Sequence, residues 1–418
     1  MSRSRHLALL LFAALTGTAG AADIEGVLPA SMDQPRIYLA VSRTENGEPL
    51  TVKDDGSSAA LAKLMGEKPD PRAPKPFAIE AFLDTGASAT MLSQTTADAL
   101  GLKAATFNAK PVTFYDVGVA GREAFGVTEP VFLRAAEYSG KTDGGSPGAY
   151  RPAGGPVPLK TRAAGGILDE LGGAIDIAGT PVMAGKVMAV DCRPIAKFDK
   201  LRTQLLPPAD KDLPKTSIEI PLTMVDFDRF TQLEPKGAPP VHGGPNPMIG
   251  PDPFKPGSTK SVNITHHGKT AKLTMLLDTG SASTMISIAK AKELGLDITP
   301  TGQIKNVPVK AQFSLPIGGI GGSADVNGCF VDAIELPVTS GEPIRYVKAP
   351  VLVKDVTVKD EATGETFTLD GVFGMNYLVA SASVTGGLNA GIGDIHDGPF
   401  DFFTVDFVKS TLNLQLRK

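Results

Sequence analysis

Cysteine is scarce in this 418-residue sequence. Two occur, Cys192 and Cys329, too few for a disulfide-stapled secreted scaffold. One falls in each half of the chain, and a single bridge and two buried free thiols are both compatible with that placement. Histidine is also rare, with five. His266 and His267 are adjacent, so on a strand they would point to opposite faces, and His242 and His396 show no ligand spacing; solvated loop histidines are expected, and no metal or other cofactor. No block of one charge exists. With 41 Lys+Arg against 45 Asp+Glu and a formal charge of −4, the chain has neither a basic surface for nucleic acid nor an acidic tail. Its glycine clusters lack the lysine-serine that a nucleotide loop requires. Beyond the N-terminus no apolar run reaches the roughly 20 residues of a membrane span.

What is abundant is glycine, at 46, and proline, at 34, a composition that favours a loop-rich, mainly β protein. The first residues have the form of a secretory signal: Arg3 and Arg5, an apolar run from Leu7 to Leu15, and Ala19-Gly20-Ala21 as a small-residue cleavage site. Residues 1–21 are therefore expected to be removed. That loses two arginines and leaves a charge of −4 − 2 = −6, on an exported protein, secreted or periplasmic, with no remaining membrane span.

One stretch occurs twice. Phe82-Leu83-Asp84-Thr85-Gly86-Ala87-Ser88-Ala89-Thr90-Met91 runs on to Leu100-Gly101-Leu102, and Leu276-Leu277-Asp278-Thr279-Gly280-Ser281-Ala282-Ser283-Thr284-Met285 runs on to Leu294-Gly295-Leu296, at a constant offset of 278 − 84 = 194. A lone Asp-Thr-Gly is usually a surface turn; two in matching apolar frames imply a shared role. Each aspartate ends a short apolar run that reads as a buried strand, where an acid is costly without compensation. Gly86 and Gly280 permit a tight turn that brings main-chain amides to the carboxylate. Thr85 and Thr279 carry hydroxyls that need partners once buried, and each is the natural partner of the other across a pseudo-twofold axis. Two such loops meeting would set two carboxylates side by side, sharing one proton. Such a pair can take a proton from water as it attacks a carbonyl and donate the other.

The doubled motif resembles the pepsin and retropepsin-like aspartic proteases in their single-chain, two-lobed form. The resemblance implies a mainly β fold of two homologous β-barrel lobes with a cleft between them: an N-terminal extension at 22–34, lobe 1 at 35–205, a linker at 206–215 and lobe 2 at 216–418. It makes Asp84 and Asp278 the catalytic pair, supported by Thr85, Gly86, Thr279, Gly280 and Ser281. Alanine at 87 against serine at 281 leaves only Ser281 able to reach its aspartate by side chain. The implied activity is endopeptidase action on a peptide or protein substrate, by a monomer. The alternative is a catalytically silent peptide-binding or cell-surface protein with the same fold. The lack of intralobe disulfides leans towards the retropepsin side.

Other landmarks repeat. Ile177-Ala178-Gly179 ends 179 − 84 = 95 residues after Asp84, and Val372-Phe373-Gly374 ends 374 − 278 = 96 after Asp278; in the family such a segment passes under the catalytic loop. Ser93 to Leu100 and Ser287 to Leu294 read as short helices capped by serine and ended by glycine. Tyr115 to Gly121 and Leu315 to Gly322 are glycine-rich candidates for flaps, with Gly118, Gly121, Gly319 and Gly321 nearest a substrate. Arg36 to Val41 reads as a strand, with Ser217 to Val225 as its counterpart and Phe400 to Val405 with Thr411 to Leu416 as a closing hairpin. Residues 66–76, 139–166, 234–258 and 380–399 read as irregular inserts. Asn263-Ile264-Thr265 matches a glycosylation acceptor.

Overall fold

A computed structural model describes residues 23–51, 78–118, 121–138, 149–163, 175–197, 199–227, 230–239, 241, 243–299, 302–359, 363–379 and 398–417. The expected signal at 1–21, the insert at 66–76, most of that at 380–399, His242 and His396 lie outside them. The described chain is mainly β. Among the described residues no helix is long and apolar enough to cross a membrane.

Two extended sheets carry the two copies of the motif, and a smaller one joins them. In lobe 1 the strand Ile79–Leu83 delivers Asp84, pairing antiparallel with Arg36–Ser42 and parallel with Asp176–Ala178. In lobe 2 Met275–Leu277 delivers Asp278, parallel to Gly371–Phe373. The joining sheet sets Val187–Asp191 antiparallel to Phe400–Asp406, with Ala189 opposite Thr404, and is flanked by Arg202–Leu206 on one side and Thr411–Leu416 then Ile218–Pro221 on the other. One apolar cluster runs through both halves, including Leu39, Leu83, Ile264, Leu277 and Phe403. Two lobes sharing a core and a sheet resist relative motion at their base.

Neither lobe is the closed barrel expected, because the hydrogen-bonded strand order has two free ends in each sheet. At the lobe 1 end the reason is local. Its last strand, Arg151–Val157, contains Pro152 and Pro156, which have no N–H to carry a ladder further.

The sequence missed the true counterpart of Arg36–Ser42. In lobe 1 Arg36 faces Phe82 and Leu39 faces Ile79; in lobe 2 Met248 faces Leu276 and Val262 faces Leu273. The offsets are 248 − 36 = 212 and 262 − 39 = 223, so the lobe 2 strand is split into Asn246–Ile249 and Val262–His266 by an insertion that the constant offset of the Asp-Thr-Gly copies does not reveal. Ser217 to Val225 instead supplies Ile218–Pro221 to the joining sheet and Thr223–Val225 as a neighbour of Asn246–Ile249. The proline- and glycine-rich stretch 234–258 thus holds a regular strand after all. So does 139–166, which contributes Arg151–Val157 and Lys160–Arg162.

The short helices are as expected. Gln94–Ala99 is capped by Ser93, whose Oγ accepts from Thr96 N at 3.1 Å, and Ile288–Glu293 by Ser287, which accepts from Lys290 N at 3.2 Å. Gly101 and Gly295 end them at φ of 60° and 83°.

Candidate active site

The two Asp-Thr-Gly loops meet back to back. Asp84 N donates to Ala178 O and Asp278 N to Phe373 O, both at 3.0 Å, so each apolar-apolar-glycine segment lies beneath its loop in the same register. There is no space for a side chain at that glycine. A Cβ on Gly179 would stand 2.4 Å from Ala89 O, and one on Gly374 2.4 Å from Ser283 O.

The threonines grip each other. Thr85 N donates to Thr279 Oγ1 at 3.1 Å and Thr279 N to Thr85 Oγ1 at 3.0 Å, while Thr85 Oγ1 donates to Leu277 O and Thr279 Oγ1 to Leu83 O, both at 2.5 Å. Both side chains are buried, and every donor and acceptor in the crossed set has a partner from the other loop, so neither loop keeps this conformation alone.

Above this floor the carboxylates of Asp84 and Asp278 stand side by side, each against the other loop's glycine. Each glycine packs on the opposite acid: a Cβ on Gly86 would lie 2.5 Å from Asp278 Cγ, and one on Gly280 2.3 Å from Asp84 Cγ. Burial raises both acids above the ordinary carboxylate range, and Asp278 rises further because the Asp84 charge stands beside it. Backbone amides resist the rise unevenly. Asp84 Oδ1 accepts from Gly86 N at 2.7 Å and Ala87 N at 3.1 Å, Asp278 Oδ1 from Gly280 N at 2.9 Å, so the amides hold negative charge more firmly on Asp84 and the shared proton rests towards Asp278. The Ser281 hydroxyl, expected to reach its aspartate, takes no part in this. That hydroxyl turns away to donate to Ser283 O at 2.8 Å, and Ser281 supports its aspartate through the main chain.

The four flap glycines also come together. Thr113–Gly118 and Gly121–Val127 form one hairpin, Gln312–Gly319 and Gly322–Leu336 the other, and their tips touch. A Cβ on Gly118 would stand 2.6 Å from Ile320 Cβ, and one on Gly321, at φ 85°, 2.5 Å from Gly121 O.

Sequence reasoning overlooked the residues that bind the loops from outside. Buried Asn246 donates from Nδ2 to Thr85 O at 2.9 Å, and Gly244 N reaches Ser88 O at 2.9 Å. On the other loop Gln34 Nε2 donates to Gly280 O, and Ser31 N to Ala282 O at 2.7 Å. Ser88 and Ala282 are equivalent, since 282 − 88 = 194, so the segment leading into each lobe braces the loop of the other. The expected N-terminal extension belongs with lobe 2 in this respect: Ile24 N donates to Arg345 O and Val347 N to Ile24 O. The one signal for Asn246 was a polar residue between two prolines.

Cys192 and Cys329 are free and buried, and burial pushes the Cys329 thiol up to about 11, which leaves it inert. The opposite-face expectation for His266 and His267 fails, because His267 leaves the strand at φ 47° and its ring lies 4.1 Å from that of His266. Asp332 stands beside them, within reach of a shared ion. Its Oδ2 is already occupied by His267 N at 2.7 Å and its Oδ1 faces His266 Nδ1 at 3.6 Å, so the carboxylate serves the turn.

No protein-family model matches this chain, and no characterised protein matches it in sequence.

Proposed function

We propose that this protein is an exported aspartic endopeptidase of the single-chain, two-lobed, retropepsin-like kind. One observation carries the reading: two buried aspartates from duplicated loops set side by side, with each loop's glycine against the other's acid and the threonines crossed beneath. A buried pair of acids weakens folding unless the pair does something, and the chemistry open to it is proton exchange with one bound water. Asp84, the more strongly hydrogen-bonded acid, takes the proton of the water as it attacks the scissile carbonyl. Asp278, holding the shared proton, donates it to the carbonyl oxygen, and the pair then returns a proton to the leaving amine. No group outside the chain is required, and one chain completes the site. The touching hairpins are placed as lids above an extended peptide, excluding bulk water from the tetrahedral intermediate. The arginine-flanked apolar N-terminus supports export.

The test is cleavage of a peptide library by purified mature protein between pH 3 and 8, beside Asp84→Asn and Asp278→Asn. Cleavage by the parent alone supports the reading. Equal turnover in either variant defeats it, and peptide binding without turnover by the parent assigns the fold to the silent binding protein.

A further inference from the structure

Lobe 1 buries two cations in a strand where lobe 2 has a buried leucine and a half-buried lysine. Lys160–Arg162 runs parallel to Met91–Ser93, and its lobe 2 equivalent pairs with Met285–Ile286: Lys160 stands opposite Met91 as Leu352 stands opposite Met285. Lys160-Thr161-Arg162 therefore matches Leu352-Val353-Lys354. Lys160 is 4% exposed and Arg162 7%, where Leu352 is 0% exposed and Lys354 half-buried. Replacing buried ion pairs with apolar side chains is commonly neutral or stabilising, and lobe 2 has a leucine in place of Lys160. The charges of lobe 1 call for another reason.

Both cations hold hairpin residues. Lys160 Nζ pairs with Asp116 Oδ2 at 2.6 Å and lies 3.8 Å from the Phe114 ring centre. Arg162 grips Glu123 with both arms of its fork, Nε to Oε1 and Nη2 to Oε2, each at 2.6 Å. That pair continues into the other lobe. Arg162 Nη2 also donates to Gly319 O at 3.0 Å, and Glu123 Oε2 accepts from Gly321 N at 2.9 Å. A single lobe 1 ion pair thus takes a main-chain acceptor and a main-chain donor of the lobe 2 hairpin tip. The reverse grip does not exist: the residue two past the second hairpin glycine is Glu123 in lobe 1 but Ala324 in lobe 2.

The two hairpins also differ in their outer edges. The lobe 1 strand Thr113–Gly118 is flanked by Gln232–Glu234, with Tyr115 Oη donating to Glu234 at 3.0 Å. Among the described residues Gln312–Gly319 pairs with Gly322–Leu336 alone. The lobe 2 hairpin is consequently the freer one, and its tip is held from across the cleft.

We propose that Arg162 and Glu123 are positioning residues that form a one-sided latch, by which lobe 1 holds the lobe 2 hairpin shut. That the shut hairpin covers a bound peptide rests on the peptidase reading; the latch itself does not. Arg162 faces Ser93 in the strand that follows the Asp84 loop, so the closed hairpin takes its position from the same strand that leaves the catalytic loop. A peptide held beneath it would be positioned against Asp84 through one continuous set of hydrogen-bonded strands, and substrate access would require the two interlobe hydrogen bonds to open.

The deciding variant exchanges the charges, Glu123→Arg with Arg162→Glu. It keeps an ion pair within lobe 1 but turns a donor towards Gly321 N and an acceptor towards Gly319 O. A second, Arg162→Met with Glu123→Gln, removes both charges and so guards against misfolding of the first. The measurement is hydrogen exchange of the full-length protein. The latch predicts that the amides of Gln312–Gly319 and of residues 321–326 exchange about tenfold faster or more in both variants, with Ile79–Leu83 and Met275–Leu277 unchanged. Parent-like exchange in the charge-exchanged protein would mean that the pair serves lobe 1 alone and would overturn the latch, as would parent-like exchange in the uncharged variant. In an active enzyme kcat/KM for peptides also falls about tenfold, mainly through KM. A parent that cleaves nothing defeats the peptidase reading and leaves the exchange result to decide the latch.

Discussion

The floor of the candidate active site and its roof obey different symmetry. Beneath the acids the two halves are near-copies: each threonine bonds the other, each glycine touches the other's aspartate, and each landmark segment lies under its loop at the same register. In the roof the halves diverge. Lobe 1 carries a doubly flanked hairpin and two buried cations; lobe 2, among the described residues, has a hairpin free on one edge, with Leu352 and Lys354 where the cations stand. On the peptidase reading proposed above, the difference follows from what each region would do. A pair of acids sharing one proton needs both loops equally, because each supplies half of every contact. A lid needs one fixed side and one moving side, and symmetry there would have no use.

The comparison breaks most completely at the acids themselves. Asp84→Asn and Asp278→Asn preserve shape but remove one member of the pair, and each is expected to lower peptide cleavage by about 10⁴-fold. Neither aspartate substitutes for the other. Folding survives, because burial already holds both acids above their ordinary range and a neutral amide removes that strain. In the parent, activity falls as pH rises through the upper apparent pKa of the pair, since a doubly ionised dyad has no proton to give. A pH profile and a thermal melt of each variant check both statements. Intact melts with lost cleavage are the expected combination.

A subtler asymmetry lies at the helix beside each loop. In lobe 1 Ser93 N donates to the buried carboxylate of Asp176 at 2.7 Å, and Thr96 Oγ1 donates to its other oxygen at 3.1 Å. In lobe 2 the equivalent Ser287 N is taken by a main-chain carbonyl, Asp370 O, at 2.9 Å. Only in lobe 1 does a carboxylate receive that amide. Burial raises Asp176 from the ordinary 3.8 to about 6. A carboxylic acid with a raised folded-state pKa contributes stability that is fully present below its ordinary value and is lost as pH rises through the folded value. Asp176 should therefore cost about 3 kcal/mol at neutral pH relative to pH 3.5. The aspartate pair tilts stability in the same sense, so the informative quantity is a difference. Melts from pH 3.5 to 8 should show a shallower fall for Asp176→Asn than for the parent, and parallel curves would show that Asp176 does not titrate there.

Much of the floor was legible in the sequence, for a physical reason. Asp84, Thr85 and Gly86 with their copies act within a few residues of one another in the chain, so the constraints of turn, amide approach and buried hydroxyl are written locally. The 95- and 96-residue spacings carried the next layer. The roof was legible only as glycines. Tip-to-tip contact at Gly118 and Gly321 depends on the relative placement of two lobes, and the Arg162–Glu123 pair is separated by a hairpin that no local pattern announces. The split of the lobe 2 strand was hidden too, because proline and glycine at 250–257 read as the whole of a loop when they interrupt a strand. Asn246 likewise fills its role by standing across the dyad from Thr85, a relation with no local trace.

The crossed threonines allow a quantitative test of symmetry. Thr85→Val keeps volume but leaves Thr279 N and Leu277 O without their partner; Thr279→Val does the same to Thr85 N and Leu83 O. Each should cost about 1–3 kcal/mol in chemical melts, and the two costs should be close. The double variant should cost less than their sum, because the contacts form one network. Unequal costs would show that one loop carries the interface, and the near-copy description of the floor would fail there.

The smallest effect sharpens the same comparison. Ser93 and Ser287 cap equivalent six-residue helices through equivalent hydrogen bonds, 3.1 Å to Thr96 N and 3.2 Å to Lys290 N. Replacement of either by alanine should cost about 1 kcal/mol. In lobe 1, however, Ser93 Oγ also meets Thr96 Oγ1 at 2.8 Å, and that hydroxyl is a partner of Asp176. Removing the Ser93 hydroxyl thins the hydrogen-bond network around a carboxylate that is already costly to ionise, so the penalty of Ser93→Ala should grow as pH rises from 4 to 8. The penalty of Ser287→Ala should stay flat, since the carbonyl of Asp370 that receives Ser287 N has no proton to lose. Melts of the two variants across that range measure the difference directly, and equal slopes would show that the lobe 1 cap is not coupled to Asp176.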